Sequence, residues 1–177
     1  MSKTLVTTAL ESTWPQEGPV MFLGSWCCSF SKRALWSSLD SEICPYHWDD
    51  RNKLRQDYKD LDLIYEKFLK ILVIKLNTIH GVKFSEKFWR ILIGPWLLTC
   101  VQVVFDRWTM LKEVTNNQGI MRCCLLKDSI SRLNTFDIVS FNKAIETDDW
   151  NEAIYSFLIE NFFLKNIIID RLKPVKS

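Results

Sequence analysis

Glycine is scarce in this chain, with five in 177 residues, and none falls in a G-x-G-x-x-G or G-x-x-x-x-G-K arrangement. A phosphate cradle built from closely spaced glycines is therefore not signalled. No G-x-S-x-G elbow exposes a nucleophilic serine. An excess of one charge is missing as well. The 23 basic and 21 acidic residues leave +2, so a basic face for nucleic acid is not expected. The opening residues, MSKTLVTTALESTWP, lack the basic end, apolar run and small-residue cleavage site of an export signal. A cytoplasmic chain with reduced thiols is the expectation, six cysteines notwithstanding. Cys27-Cys28 and Cys123-Cys124 are adjacent, and the gap between Cys44 and His47 has no second matching pair, so no metal site is expected.

Tryptophan, by contrast, is abundant. Eight in a chain this size point to an aromatic core or to a surface that stacks flat ligands and sugar rings. Three of them, Trp89, Trp96 and Trp108, fall in one stretch that holds an uncharged run from Ile91 to Phe105. That run is shorter than the roughly 20 residues of a membrane span, and Pro95 interrupts it. It reads as a buried helix, with peripheral contact at a membrane surface as the furthest membrane role.

Periodicity gives an α/β arrangement in one domain over residues 1–177. Leu5 to Leu10 reads as a strand, and Val20 to Leu23 as a buried strand stopped by Gly24. Ser31 to Leu39 reads as a helix, and Ser41 to Tyr46 as a third strand. Apolar positions from Leu54 to Ile79 recur every three or four residues, so a long helix ends at His80-Gly81. Ser85 caps the next helix, and Pro95 is expected to kink or restart it, with Asn116 to Gly119 closing it. Further apolar runs cover Ile120 to Leu126 and Phe136 to Ala144. A helix follows from about Asp149 to Asn161, and Ile167 to Ile169 forms a last strand.

Two places carry chemistry. Pro45 to Arg51 sets a titratable imidazole, His47, beside Asp49, Asp50 and Arg51. Either aspartate can cap the following helix, and either can hold a sugar hydroxyl. Trp89-Arg90 and Asp106-Arg107-Trp108 set a guanidinium beside an indole at each end of the central run. They suit a carboxylate or phosphate and a ring, or an internal ion pair. Gly24-Ser25-Trp26 stands at the carboxyl end of a strand, where open α/β sheets place ligands.

Several ordered strings resemble one bacterial family: TTALESTWP from Thr7, GPVMFLGSWC from Gly18, PYHWDDR from Pro45, LNTIHGV from Leu76, FWRILIGPWL from Phe88, FDRW from Phe105 and DDWNEAIYS from Asp148. It is similar to the amino-terminal part of transferases from O-antigen and surface-polysaccharide gene clusters, over about Thr4 to Glu160. The Cys-Cys-Ser-Phe after Trp26 and the segment Gln118 to Arg132 depart from that pattern. The resemblance implies a Rossmann-like first half of a two-domain, GT-B-like glycosyltransferase, the chain being truncated or split. A nucleotide-sugar donor would bind the other half, with no cofactor held here. A sugar or glycolipid acceptor would be the partner, alongside a separate carboxyl-terminal half. His47 or Asp49 would serve as base, and Glu11, Gly24, Trp26, Asp50, Arg51, Trp89, Arg90, Trp96, Asp106, Arg107 and Trp108 would meet substrate. The competing reading is a binding or scaffold module whose aromatic rim docks a partner domain or a membrane surface.

Overall fold

The computed structural model describes residues 3–117, 119–127, 129–163 and 167–172. Gln118 and the last five residues, 173–177, lie outside them. The chain divides into two compact units. One joins Met1–Tyr46 to Arg107–Ser177, and the other is His47–Asp106.

The first unit is built on a five-stranded sheet in the order β3-β2-β1-β4-β5, with every pairing parallel. The strands are β1 Lys3–Val6, β2 Val20–Phe22, β3 Ser41–Ile43, β4 Ile120–Leu126 and β5 Ile168–Leu172. Parallel strands need crossovers on the sheet faces, so the central ones are covered on both sides and read as unbroken apolar runs. Leu5, Val6, Val20, Met21, Phe22 and Leu23 are buried accordingly. The fold is α/β, as the apolar runs predict. Helices α4 Ile138–Ala144 and α5 Asp148–Leu158 lie in the crossover from β4 to β5, and a π-helical turn, Ile159–Phe163, extends α5.

Several elements differ from their sequence reading. Strand β1 stops at Val6, and Thr7, Thr8 and Ala9 leave the sheet as a buried loop. The expected helix over Ser31 to Leu39 shrinks to a 3-10 turn, Phe30–Lys32, and one helical turn, α1 Arg33–Trp36. Ser41 to Tyr46 pairs only through Ile43.

The second unit is a helical hairpin. Helix α2, Arg51–His80, starts at Asp50, whose side chain accepts from Asn52 N and Lys53 N, and it stops at Gly81 in the left-handed region, φ 62°. Helix α3, Glu86–Asn117, then runs through Pro95 without a restart, one of the two outcomes expected there. Proline removes the bond to the carbonyl four residues back, that of Ile91. Ile91 and Pro95 are both exposed, so water can take the orphaned carbonyl, and the helix continues. Gly94 lets the helices approach: a Cβ there would stand 2.8 Å from the Tyr65 hydroxyl.

The burial expected of the apolar run is not found. Leu97 is buried, but Ile91 is 73% and Leu92 62% exposed. By length and composition α3 could cross a membrane, yet only 17% of its most apolar window is buried within the protein.

Candidate functional site

In the sheet unit the strand order reverses between β1 and β4, the switch point at which open α/β sheets leave a crevice beyond their carboxyl ends. The loop leaving β1 there is fixed by side chains from four different segments. Trp26 Nε1 donates to Thr7 O at 3.0 Å, Trp14 Nε1 to Thr8 O at 3.1 Å, and Lys32 Nζ to Ala9 O at 2.6 Å. Ala9 N donates to Asp148 Oδ1 at 3.0 Å. Three successive carbonyls and one amide are thus satisfied by side chains that a loop would otherwise leave to water. The result is a preorganised edge.

What this edge shows to solvent is an indole and a carboxylate. Trp26 is 37% exposed, and its ring packs edge-on against Tyr46 at 6.1 Å. It also lies across Gly24, where any Cβ would overlap the six-membered ring. Gly24 is extended, φ −174°, so this close approach rather than a turn requires glycine. Glu11 is exposed and pairs with Lys32 at 3.2 Å. The structure therefore brings Glu11, Gly24 and Trp26, which sequence reasoning had named, to one edge. Trp14, Lys32 and Asp148 had not been named, since they meet the loop only through the fold. Asp148 did stand first in the string DDWNEAIYS.

One helical turn beyond Asp148, Glu152 performs the matching task for β4. Its Oε1 accepts from Leu126 N at 2.8 Å and from Ser156 Oγ at 2.7 Å. Its Oε2 is buried with no hydrogen-bond partner, and Arg132 Nη1 stands 3.9 Å away. Burial pushes the Glu152 carboxyl above its ordinary value, against the lowering effect of the Leu126 amide and the Ser156 hydroxyl. The carboxylates of α5 thus hold the loop that leaves β1 and the end of β4, on the two sides of the switch point. Thiol chemistry is disfavoured here. Burial pushes Cys27 up to about 12 and raises Cys123 further, so neither is a thiolate at neutral pH.

Two other expected contacts in this unit serve packing. Arg107 Nε donates to Asn151 Oδ1 at 3.1 Å, and Trp108 packs on Phe162 and Phe163, each at 5.0 Å.

In the hairpin unit His47 is buried, its side chain 0% exposed. Its Nε2 lies 3.0 Å from Asp106 Oδ1, and its Nδ1 lies 3.8 Å from Asp57 Oδ2. Asp57 accepts from Trp48 Nε1 at 3.0 Å and Lys53 Nζ at 2.7 Å. In this arrangement His47 braces the hairpin base and does not meet solvent. Asp49 and Arg51 are exposed, while Asp50 is the cap of α2.

Trp89 and Arg90 sit elsewhere. Arg90 grips both oxygens of Glu66 at 2.6 and 2.7 Å and reaches Glu86 at 2.7 Å. Those contacts hold the Arg90 guanidinium above its ordinary value and the Glu66 carboxyl below its own. Trp89 is buried and donates to Asn77 Oδ1 at 2.9 Å. Trp96 is half-buried. Sixteen residues of continuous helix separate Arg90 from Asp106, about 24 Å at the α-helical rise. The two clusters of the hairpin therefore share no common hollow.

Residues 3–176 match the family described as LIC12162 family transferase. The chain belongs to that family. No curated protein and no solved structure matches it. As a member of the LIC12162 family it is a transferase by description, and its parallel sheet supplies the carboxyl edge at which such a fold binds ligands.

Proposed function

We propose that this LIC12162 family chain supplies the acceptor-binding part of a sugar transferase that builds lipopolysaccharide O-antigen or a related surface polysaccharide. The observation that carries this reading is the loop after β1, held by four side-chain hydrogen bonds beneath an exposed Trp26 and an exposed Glu11. An exposed indole and a carboxylate on one edge suit a pyranose, with the ring face on the aromatic and hydroxyls on the acid. The nucleotide-sugar donor belongs to a second domain or polypeptide. Transfer then needs a base within reach of the acceptor hydroxyl. Of the two groups expected to act as base, Asp49 is exposed, whereas His47 is buried against Asp106.

Saturation-transfer NMR on the chain tests the reading. Neutral saccharides should receive signal from aromatic protons, and Trp26→Ala should abolish it. Sugar nucleotides should bind no tighter than about 1 mM. Saccharide signal that survives Trp26→Ala, or nucleotide sugars bound much more tightly than saccharides, would move the acceptor away from this edge.

A further inference from the structure

The hairpin unit ends in an apolar surface that none of the roles above uses. At its distal end Ile74 and Ile79 of α2 are 70% and 73% exposed, and Phe84 in the turn is 45% exposed. Phe88, Ile91 and Leu92 of α3 are exposed as well. These side chains surround the end instead of forming one flat face. Ile74 and Ile79 stand about 140° apart around α2, at 3.6 residues per turn. On α3 the side toward α2 carries Trp89 and Arg90, bound to Asn77 and Glu66, so Phe88, Ile91 and Leu92 point elsewhere. A flat protein partner covers one face, whereas a fluid medium covers all of them.

Charge narrows the choice of medium. From Lys67 to Leu98 the sequence carries six basic residues and one acid, Glu86, which Arg90 already holds at 2.7 Å. Lys75, Lys83 and Lys87 stand at the same end as the exposed isoleucines and phenylalanines. Exposed apolar groups interleaved with lysine suit an anionic headgroup layer, which takes the rings and aliphatic chains while attracting the ammonium groups. A second copy of this chain fits less well. A two-fold interface meets itself, so lysines would face lysines. Spanning is disfavoured, because α2 carries Lys67, Lys70 and Lys75 through the length that would have to cross.

We propose that the end of the α2–α3 hairpin docks into the anionic surface of a bilayer, placing this transferase where a lipid-linked acceptor is presented. The docking rests on the hairpin alone and stands whether or not the sheet edge binds sugars.

The test is co-sedimentation of the full chain with vesicles of phosphatidylcholine, alone or mixed with phosphatidylglycerol. The chain should sediment with the mixed vesicles, not with phosphatidylcholine alone, and binding should weaken as salt rises. Ile91→Glu with Leu92→Glu should remove binding while leaving the circular dichroism unchanged, since both positions are exposed. Lys83→Gln with Lys87→Gln should lower the partition coefficient about thirtyfold, from roughly 1 kcal/mol per lysine at such a surface. Failure to bind mixed vesicles at low salt would overturn the proposal. So would lysine variants that bind like the parent, or a concentration-dependent dimer that Ile91→Glu dissolves.

Discussion

Replacing Gly24 with alanine tests whether the carboxyl edge is organised around Trp26. The backbone at Gly24 is extended, so alanine adopts it without strain, and only the added methyl matters. That methyl would overlap the Trp26 ring. The ring is over a third exposed and can swing away, but it then gives up the 3.0 Å bond to Thr7 O and the edge-on contact with Tyr46. A net hydrogen bond contributes about 1 kcal/mol and an aromatic pair a similar amount, so Gly24→Ala should cost about 2 kcal/mol.

A double-mutant cycle isolates the cause. In a Trp26→Ala background the overlap with the ring is gone, and removing glycine also narrows the unfolded ensemble. There Gly24→Ala should be neutral or stabilising by up to about 1 kcal/mol. The predicted coupling energy is therefore about 2–3 kcal/mol, with a change of sign between backgrounds. Urea unfolding of the four proteins measures it, through midpoints compared at constant slope. An equal cost in both backgrounds would show that the glycine is needed for its backbone and not for the indole, and the preorganised edge would lose its centre.

Glu152 makes a pH prediction. A carboxyl raised on folding above its ordinary 4.5 holds its proton more tightly in the folded chain, so the stability it contributes is present at low pH and is lost as pH rises through the raised value. Glu152→Gln keeps an acceptor for Leu126 N but cannot ionise. Its stability relative to the parent should grow as pH rises above 4.5, and parallel pH profiles in thermal unfolding would refute the buried charge. In the hairpin, Asp106→Ala should cost about 3 kcal/mol by leaving the buried His47 without its 3.0 Å partner. Asp49→Asn, at an exposed site, should change stability by no more than about 0.5 kcal/mol. On the proposed function, the same Asp49→Asn change should lower sugar transfer by about 100-fold or more when a donor-binding domain is supplied. A normal rate would remove Asp49 as the base.

Elements whose physics is local were legible in the sequence. Val20 to Phe22 is a strand because an apolar run that short, stopped by glycine, has to lie between covered faces. Helix α2 follows from its three-and-four spacing, with Asp50 to start it and Gly81 to stop it. Contacts that depend on the fold were not legible. Ala9 N finds Asp148 across 139 residues, and no local pattern in either segment announces the pairing. The same holds for Glu152, whose environment is set by the end of β4.

The reading of α3 went astray for a different reason, and one that the residues themselves could have corrected. Hydropathy records how much a segment gains from leaving water, not what stands ready to cover it, so Ile91 to Phe105 reads as a buried helix although Ile91, Leu92 and Leu98 face outward. The family resemblance placed Trp89-Arg90 and Asp106 together against substrate. A proline whose orphaned carbonyl faces water need not end a helix. Once α3 is continuous, the rise per residue alone sets Arg90 about 24 Å from Asp106, farther than any pair of side chains could bridge. An arginine on one helix is more readily explained by an acid of the helix beside it, and Glu66 on α2 is that acid for Arg90.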